Sequence, residues 1–123
     1  MELKIARKIK STPEEVYRAL TNPFTIELWT NQAAVMEEKE GAEFSIFGGN
    51  ITGRNIEFKP NELIRQMWYF DDKESEVLIK LFPDKANTRI VIEQTGIPED
   101  AYENIKNGWN ESYLDSLTDF FEA

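Results

Sequence analysis

The stretch FGGNITGRNIEFKPNELIRQMWYF, Phe47–Phe70, decides the fold. Gly48-Gly49-Asn50 and Lys59-Pro60-Asn61 are turn chemistry, since glycine and asparagine enter left-handed backbone cheaply and proline presets φ for a reversal. No GK[ST] follows the glycines at 48, 49 and 53, so they read as a hairpin turn and not as a phosphate loop. Two strand-like runs remain, Ile51–Phe58 and Leu63–Phe70. The second places Ile64, Gln66, Trp68 and Phe70 on one face and Leu63, Arg65, Met67 and Tyr69 on the other. Burying the charge of Arg65 costs more than burying the neutral Gln66, so the tryptophan face is the inward one.

Outward from this hairpin the same punctuation continues. Breaks at Glu40-Gly41, Asp71-Asp72-Lys73 and Pro83-Asp84-Lys85 divide Ala34–Thr95 into short strands, as in an antiparallel meander. Val77, Ile79 and Leu81, then Ile90 and Ile92, alternate with charged residues and are expected in the core. Phe44 with Ile46, and Ile56 with Phe58, form similar pairs. Before the meander, Leu3–Ile9 alternates as a half-exposed strand. Thr12-Pro13-Glu14-Glu15 then starts a helix, with Thr12 as cap, Pro13 at the first helical position and Glu15 completing a capping box. Asn22-Pro23 ends that helix and begins a second, short one reaching about Trp29. After the meander, Pro98–Phe121 is one long helix of about 30 Å. Ile105, Trp109, Tyr113, Leu117 and Phe120 or Phe121 form its apolar stripe, widened by Tyr102 and Leu114. Gly108 disfavours a helix interior by about 1 kcal/mol, so a close approach or a bend is expected there.

Composition removes whole classes of function. A chain of 123 residues with 41% hydrophobic and 12% aromatic content is read as one domain, residues 1–123, with one packed core. It has no histidine and no cysteine, which excludes Ser-His-Asp and Cys-His catalysis, disulfides, and zinc sites built on imidazole or thiolate. Twenty-three acidic residues against 14 basic ones give a net charge of −9, which repels nucleic acid and anionic lipid surfaces. The start MELKIARKIK alternates and lacks the apolar run of a signal peptide, and no stretch approaches the roughly 20 apolar residues of a membrane helix. A cytoplasmic binding protein without metal or cofactor is expected, not an enzyme.

One strand, two short helices, six strands and a long final helix is the order of the helix-grip fold. The chain resembles the activator of heat-shock protein 90 ATPase homologue family, within the START-like, birch-pollen-allergen (SRPBCC) superfamily, and most resembles the C-terminal domain of the activator. The residues that carry the resemblance are Thr12-Pro13-Glu14-Glu15-Val16-Tyr17, Ala19-Leu20-Thr21-Asn22-Pro23, Trp29 and Gly49-Asn50-Ile51-Thr52-Gly53, continued by Pro60, Trp68, Gly96-Ile97-Pro98 and Gly108-Trp109. The resemblance implies an α+β fold in which a curved antiparallel sheet of about seven strands wraps the last helix, with Trp68 and Trp109 meeting across it.

It also implies a space between sheet and helix that either is filled by side chains or holds a hydrophobic small molecule. Trp29, Trp68, Phe70, Leu81, Ile92, Trp109 and Tyr113 are the expected wall of such a cavity, with Gln66 as its polar feature and Tyr17, Tyr113 and Gln94 as further polar candidates. The alternative the family implies is a cochaperone module that binds and stimulates a heat-shock protein 90 ATPase. The activator carries a further N-terminal domain that supplies chaperone contacts, whereas this sequence starts at the helix-grip strand, which favours the small-molecule reading.

Overall fold

The computed structural model describes residues 1–122. Strand β1 (Leu3–Ile9) leads into α1 (Pro13–Thr21) and α2 (Pro23–Thr30), followed by β2 (Glu43–Ile46), β3 (Ile51–Lys59), β4 (Leu63–Phe70), β5 (Lys73–Asp84) and β6 (Asn87–Thr95). The described residues form one six-stranded antiparallel sheet in the order β1-β6-β5-β4-β3-β2. The C-terminal helix crosses its inner face as α3 (Tyr102–Asn107), a π-helical segment (Gly108–Leu114) and α4 (Asp115–Glu122).

Local chemistry sets the helix ends. Thr12 Oγ1 accepts from the Glu15 amide at 3.3 Å, while the Glu15 carboxylate turns to Arg18 instead of back to the cap. Asn22 closes α1 and opens α2: its amide N–H bonds the Arg18 carbonyl, and its side chain accepts from the Thr25 amide at 3.1 Å.

The inward faces of the meander match the alternation. Val77, Ile79, Leu81, Ile90 and Ile92 are all buried, and so are Ile64, Gln66 and Trp68 on the tryptophan face of β4. The outward face carries ion pairs between adjacent strands and, for Arg54 on β3 with Glu74 on β5, across the intervening β4. Arg54 pairs with Glu74, Arg65 with Glu57 and Glu76, and Lys80 with Glu93. The bond to Lys80 holds the Glu93 carboxyl below its usual range, and the carboxylate bonds raise both arginines further.

Four expectations need correction. The sheet has six strands and not about seven: in the segment after Ala34 only Val35 pairs, as an isolated bridge to Ser45. That segment is anchored by a side chain instead, since the Asn55 amide donates to the Glu37 carbonyl at 3.1 Å and lies beside Met36 Sδ. Second, Ile56 is not a core residue. The register shifts between Asn55 and Glu57, so Ile56 is the extra residue of a bulge and Asn55, fully buried, takes the inward place. Third, Gly53 lies within β3 and not in the turn. A Cβ there would stand 2.0 Å from the Met67 carbonyl oxygen and 2.9 Å from the Phe44 ring, so the strands and ring close over a bare backbone.

Fourth, nothing crowds Gly108. Its φ and ψ of −61° and −42° are ordinary helix, and a Cβ there would meet no atom within 4 Å. What marks this place is a change of hydrogen-bonding pitch. The π-helical turn accommodates an additional residue, and Trp109, Tyr113 and Leu114 all remain buried.

A cleft beside a tethered aromatic box

Trp68 from β4 and Trp109 from the C-terminal helix stack at 4.7 Å between ring centroids and 18° between planes. Tyr113, one helical turn beyond Trp109, lies 4.5 Å from it, and Trp29 from α2 meets Tyr113 edge-on at 5.1 Å. Phe47 closes the group, 5.7 Å from Trp29. Offset and edge-to-face arrangements of this kind are the ones that ring quadrupoles favour.

Each indole N–H is paired inside the protein. Trp29 Nε1 donates to the Ala19 carbonyl at 2.7 Å, joining α2 to α1. Trp68 Nε1 donates to Gln66 Oε1 at 2.9 Å, Gln66 Nε2 donates to Asn55 Oδ1 at 3.0 Å, and Asn55 passes the chain on to the Glu37 carbonyl. Trp109 Nε1 donates to Gln94 Oε1 at 2.7 Å, Gln94 Nε2 donates to Ser75 Oγ at 3.0 Å, and the serine hydroxyl donates to the Thr95 carbonyl at 2.6 Å. Two glutamines from different strands thus fix the orientation of the stacked pair, each accepting from an indole and donating onward to a buried neighbour.

Beside the box opens a cleft of about 460 Å³. Its sheet side is Asn50, Ile51 and Thr52 at the start of β3 with Trp68, Tyr69 and Phe70 at the end of β4. The C-terminal helix supplies Asn104, Ile105, Gly108, Ser112 and Ser116 together with Trp109 and Tyr113, and Thr30, Gln32 and Phe47 close the end near α2. The residues without a side chain or with a small one, Gly108, Ser112 and Ser116, are the ones that leave the volume open. None of the described residues lining the cleft is Asp, Glu, Lys or Arg, in a chain that is 30% charged.

Of the expected wall residues, Trp68, Phe70, Trp109 and Tyr113 face this cleft. Trp29, Gln66, Leu81 and Ile92 lie behind it. Trp29 is held against α1 by its own N–H, Gln66 is taken up in the tether, and Leu81 and Ile92 are 3% and 0% exposed in the core of β5 and β6. Gln94 is likewise behind the wall. Tyr17 is on another surface, where its hydroxyl donates to Glu38 at 2.6 Å, and burial together with this carboxylate raises its pKa.

Tyr113 has a different environment. Its side chain is buried, which raises the phenol pKa, yet its hydroxyl has no hydrogen-bond partner among the described residues. It is also absent from the polar atoms sealed away without a partner, where only Thr118 Oγ1 stands, so the hydroxyl is open to the cleft. The sequence reading missed the helix side of the cleft, Asn104, Gly108, Ser112 and Ser116, and the β3 end. The signal for the helix side was the run of small and uncharged residues three to four apart beside the apolar stripe. No group of three or more acidic side chains among the described residues is arranged to hold a metal, and no helix among them is long and apolar enough to cross a membrane.

Residues 10–122 match the model of the family described as activator of Hsp90 ATPase homolog 1-like protein. The chain belongs to this family. It is 33% identical over 124 residues to the activator of 90 kDa heat shock protein ATPase homolog of Dictyostelium discoideum, covering 97% of this chain and 32% of that protein. The mouse activator homolog 1 is 25% identical over 115 residues, covering 90% of this chain and 34% of its own length. The chain therefore spans about a third of the length of the curated relatives it matches. Among solved structures, an Hsp90 activator from Plasmodium falciparum superposes with a TM-score of 0.88 at 24% identity, covering 95% of this chain and 93% of that one. The helix-grip arrangement is thus that of the activator homologues.

Proposed function

We propose that this family member is a non-catalytic binding protein that holds an uncharged, largely apolar small molecule in the cleft between sheet and C-terminal helix. The observation that carries the proposal is the uncharged wall: with 30% of all residues charged, sixteen lining positions without Asp, Glu, Lys or Arg describe a site that solvates no ion. The rigid aromatic box supports this reading, because indoles whose N–H groups are already satisfied offer a ligand apolar ring surface and no competing donor. The roles of Phe70, Trp68, Trp109 and Tyr113 as ligand contacts belong to this proposal, with Trp29, Gln66, Leu81 and Ile92 supporting them from behind.

The test follows the three indole N–H resonances by NMR while a panel of uncharged hydrophobic molecules is added. Trp68 and Trp109 should shift and Trp29 should stay, and Gly108→Leu, which fills the open side of the helix, should abolish the response. Equal shifts at all three tryptophans, or none in the native chain, would refute cleft binding.

A second reading is favoured by one surface. Phe24 and Leu28, four residues apart on α2, are 78% and 70% exposed, and Val35 follows at 65% on a segment tied back to α2 by the Ala34 amide to the Glu27 carboxylate. The curated relatives are named as activators of a 90 kDa heat shock protein ATPase, and this face is a fit for such a partner. Stimulation of a purified Hsp90 ATPase by the native chain, lost in Phe24→Ser/Leu28→Ser, supports it. No stimulation by the native chain refutes it.

A further inference from the structure

We infer that the Tyr113 hydroxyl is the polar anchor of the cleft, donating a hydrogen bond to an acceptor oxygen on an otherwise apolar, uncharged ligand. This rests on the cleft-binding reading above and adds to it the chemistry that the ligand carries. Of the polar groups around the aromatic box, the indole N–H groups, both glutamine amides, Asn55 and Ser75 each have a hydrogen-bond partner within the protein. The Tyr113 oxygen is unpartnered, and unlike the hydroxyls of Thr52, Ser112 and Ser116 at the more open parts of the cleft it belongs to a buried side chain, 4% exposed and held by Trp29, Phe47 and Trp109 at centroid distances of 5.1, 6.0 and 4.5 Å. A donor so fixed has already lost its rotational freedom, and a ligand that accepts from it gains the bond without ordering the side chain.

The direction of the bond follows from burial. Removing the phenol from water disfavours the phenolate, so the hydroxyl keeps its proton and acts as donor across the physiological range. A ligand carboxylate would accept from it too, but no cation among the described residues lines the cleft to offset the lost hydration of an anion. The class that fits is therefore a ketone, ether, ester or similar neutral acceptor on an apolar body. Phe47, Ile51, Trp68, Phe70 and Ile105 supply the surface that receives that body.

Three probes of one skeleton separate the possibilities: fluorene, fluorenone and fluorene-2-carboxylate, each titrated into the full chain with the Trp68 and Trp109 indole resonances as readout. Fluorenone should bind about threefold to tenfold more tightly than fluorene, the span of one net hydrogen bond. The carboxylate should bind at least about tenfold more weakly than fluorene. Tyr113→Phe should remove the advantage of fluorenone and leave fluorene unchanged. Independently of any variant, the fluorenone carbonyl stretch should fall in frequency in the native complex, as it does on accepting a hydrogen bond. Fluorene and fluorenone binding equally, a fluorenone advantage that survives in Tyr113→Phe, or an unshifted carbonyl stretch would overturn the anchor while leaving the cleft as a binding site. If none of the three moved Trp68 or Trp109, both the anchor and the cleft reading would fall.

Discussion

Replacing Gln94 by Met tests whether the tether beneath Trp109 stabilises the fold. Methionine keeps the length of the side chain and removes its amide. Trp109 is 2% exposed and its Nε1 reaches Gln94 Oε1 at 2.7 Å, so the substitution strands a buried donor that water cannot reach. Such a donor costs about 1 to 3 kcal/mol. Ser75 loses the bond from Gln94 but keeps its own bond to the Thr95 carbonyl, so it adds little. The expected loss is therefore about 2 kcal/mol, read as a lower urea midpoint with an unchanged slope. A cycle with Trp109→Phe isolates the bond. Once the indole N–H is gone, Gln94→Met has no donor to strand, and a coupling of about 1 to 2 kcal/mol should appear between the two changes. The Trp109 indole proton should also exchange faster with solvent in Gln94→Met. A loss below about 0.5 kcal/mol, or additive single effects, would mean that Trp109 is oriented by packing alone and that the tether reasoning is wrong.

Other outcomes follow from the same geometry. Gly53→Ala should destabilise by at least about 3 kcal/mol or prevent accumulation of folded protein, because the new methyl meets the backbone of β4, which cannot swing away as a side chain can. Gly108→Ala should do the opposite and raise the unfolding free energy by about 0.5 to 1 kcal/mol, since the backbone is already helical and the methyl enters empty space; a lower urea midpoint would contradict the open cleft at this position. Trp109→Ala should cost about 3 to 5 kcal/mol, as truncations of buried aromatics do, and a loss under about 1 kcal/mol in a denaturant titration would place Trp109 against a void. Tyr113 adds a pH dependence. Its phenol is raised from the ordinary value of 10.0, so its contribution is complete below that pH and is lost as pH rises through the higher folded value. Urea midpoints measured in alkali should therefore decline less steeply for Tyr113→Phe than for the native chain.

Much of this architecture was legible because it depends on neighbours in the chain. The helix starts at Thr12 and Asn22, the turn residues and the period-two alternation of β5 and β6 each act over a few positions, and all appear where the pattern places them. Even the inward phase of Trp68 followed from weighing Arg65 against Gln66, a comparison of burial costs within one strand. The errors fall where pairing across the sheet decides. Nothing local marks the bulge that turns Ile56 out and Asn55 in, since an inserted residue is defined only by its partner strand. Gly53 resembled a turn residue because its real constraint, the carbonyl of Met67 and the ring of Phe44, arrives from residues far along the chain.

The candidate site divides in the same way. From the sequence alone came the aromatic inventory and the absence of histidine and cysteine that removes catalysis built on those side chains, while the meeting of Trp68 with Trp109 was implied by the family resemblance. The glutamines were recognised as inward polar residues, yet alternation along a strand cannot say whether an inward amide faces a ligand or a neighbouring side chain. Tertiary structure decided that Gln66 and Gln94 are consumed by the tryptophans, that Leu81 and Ile92 lie behind the wall, and that Tyr113 brings a buried, unpartnered hydroxyl to the cleft. Periodicity determines which face of an element is buried. Which buried atoms remain unpartnered depends on distances of a few ångströms between elements brought together only by folding, and those distances define the site.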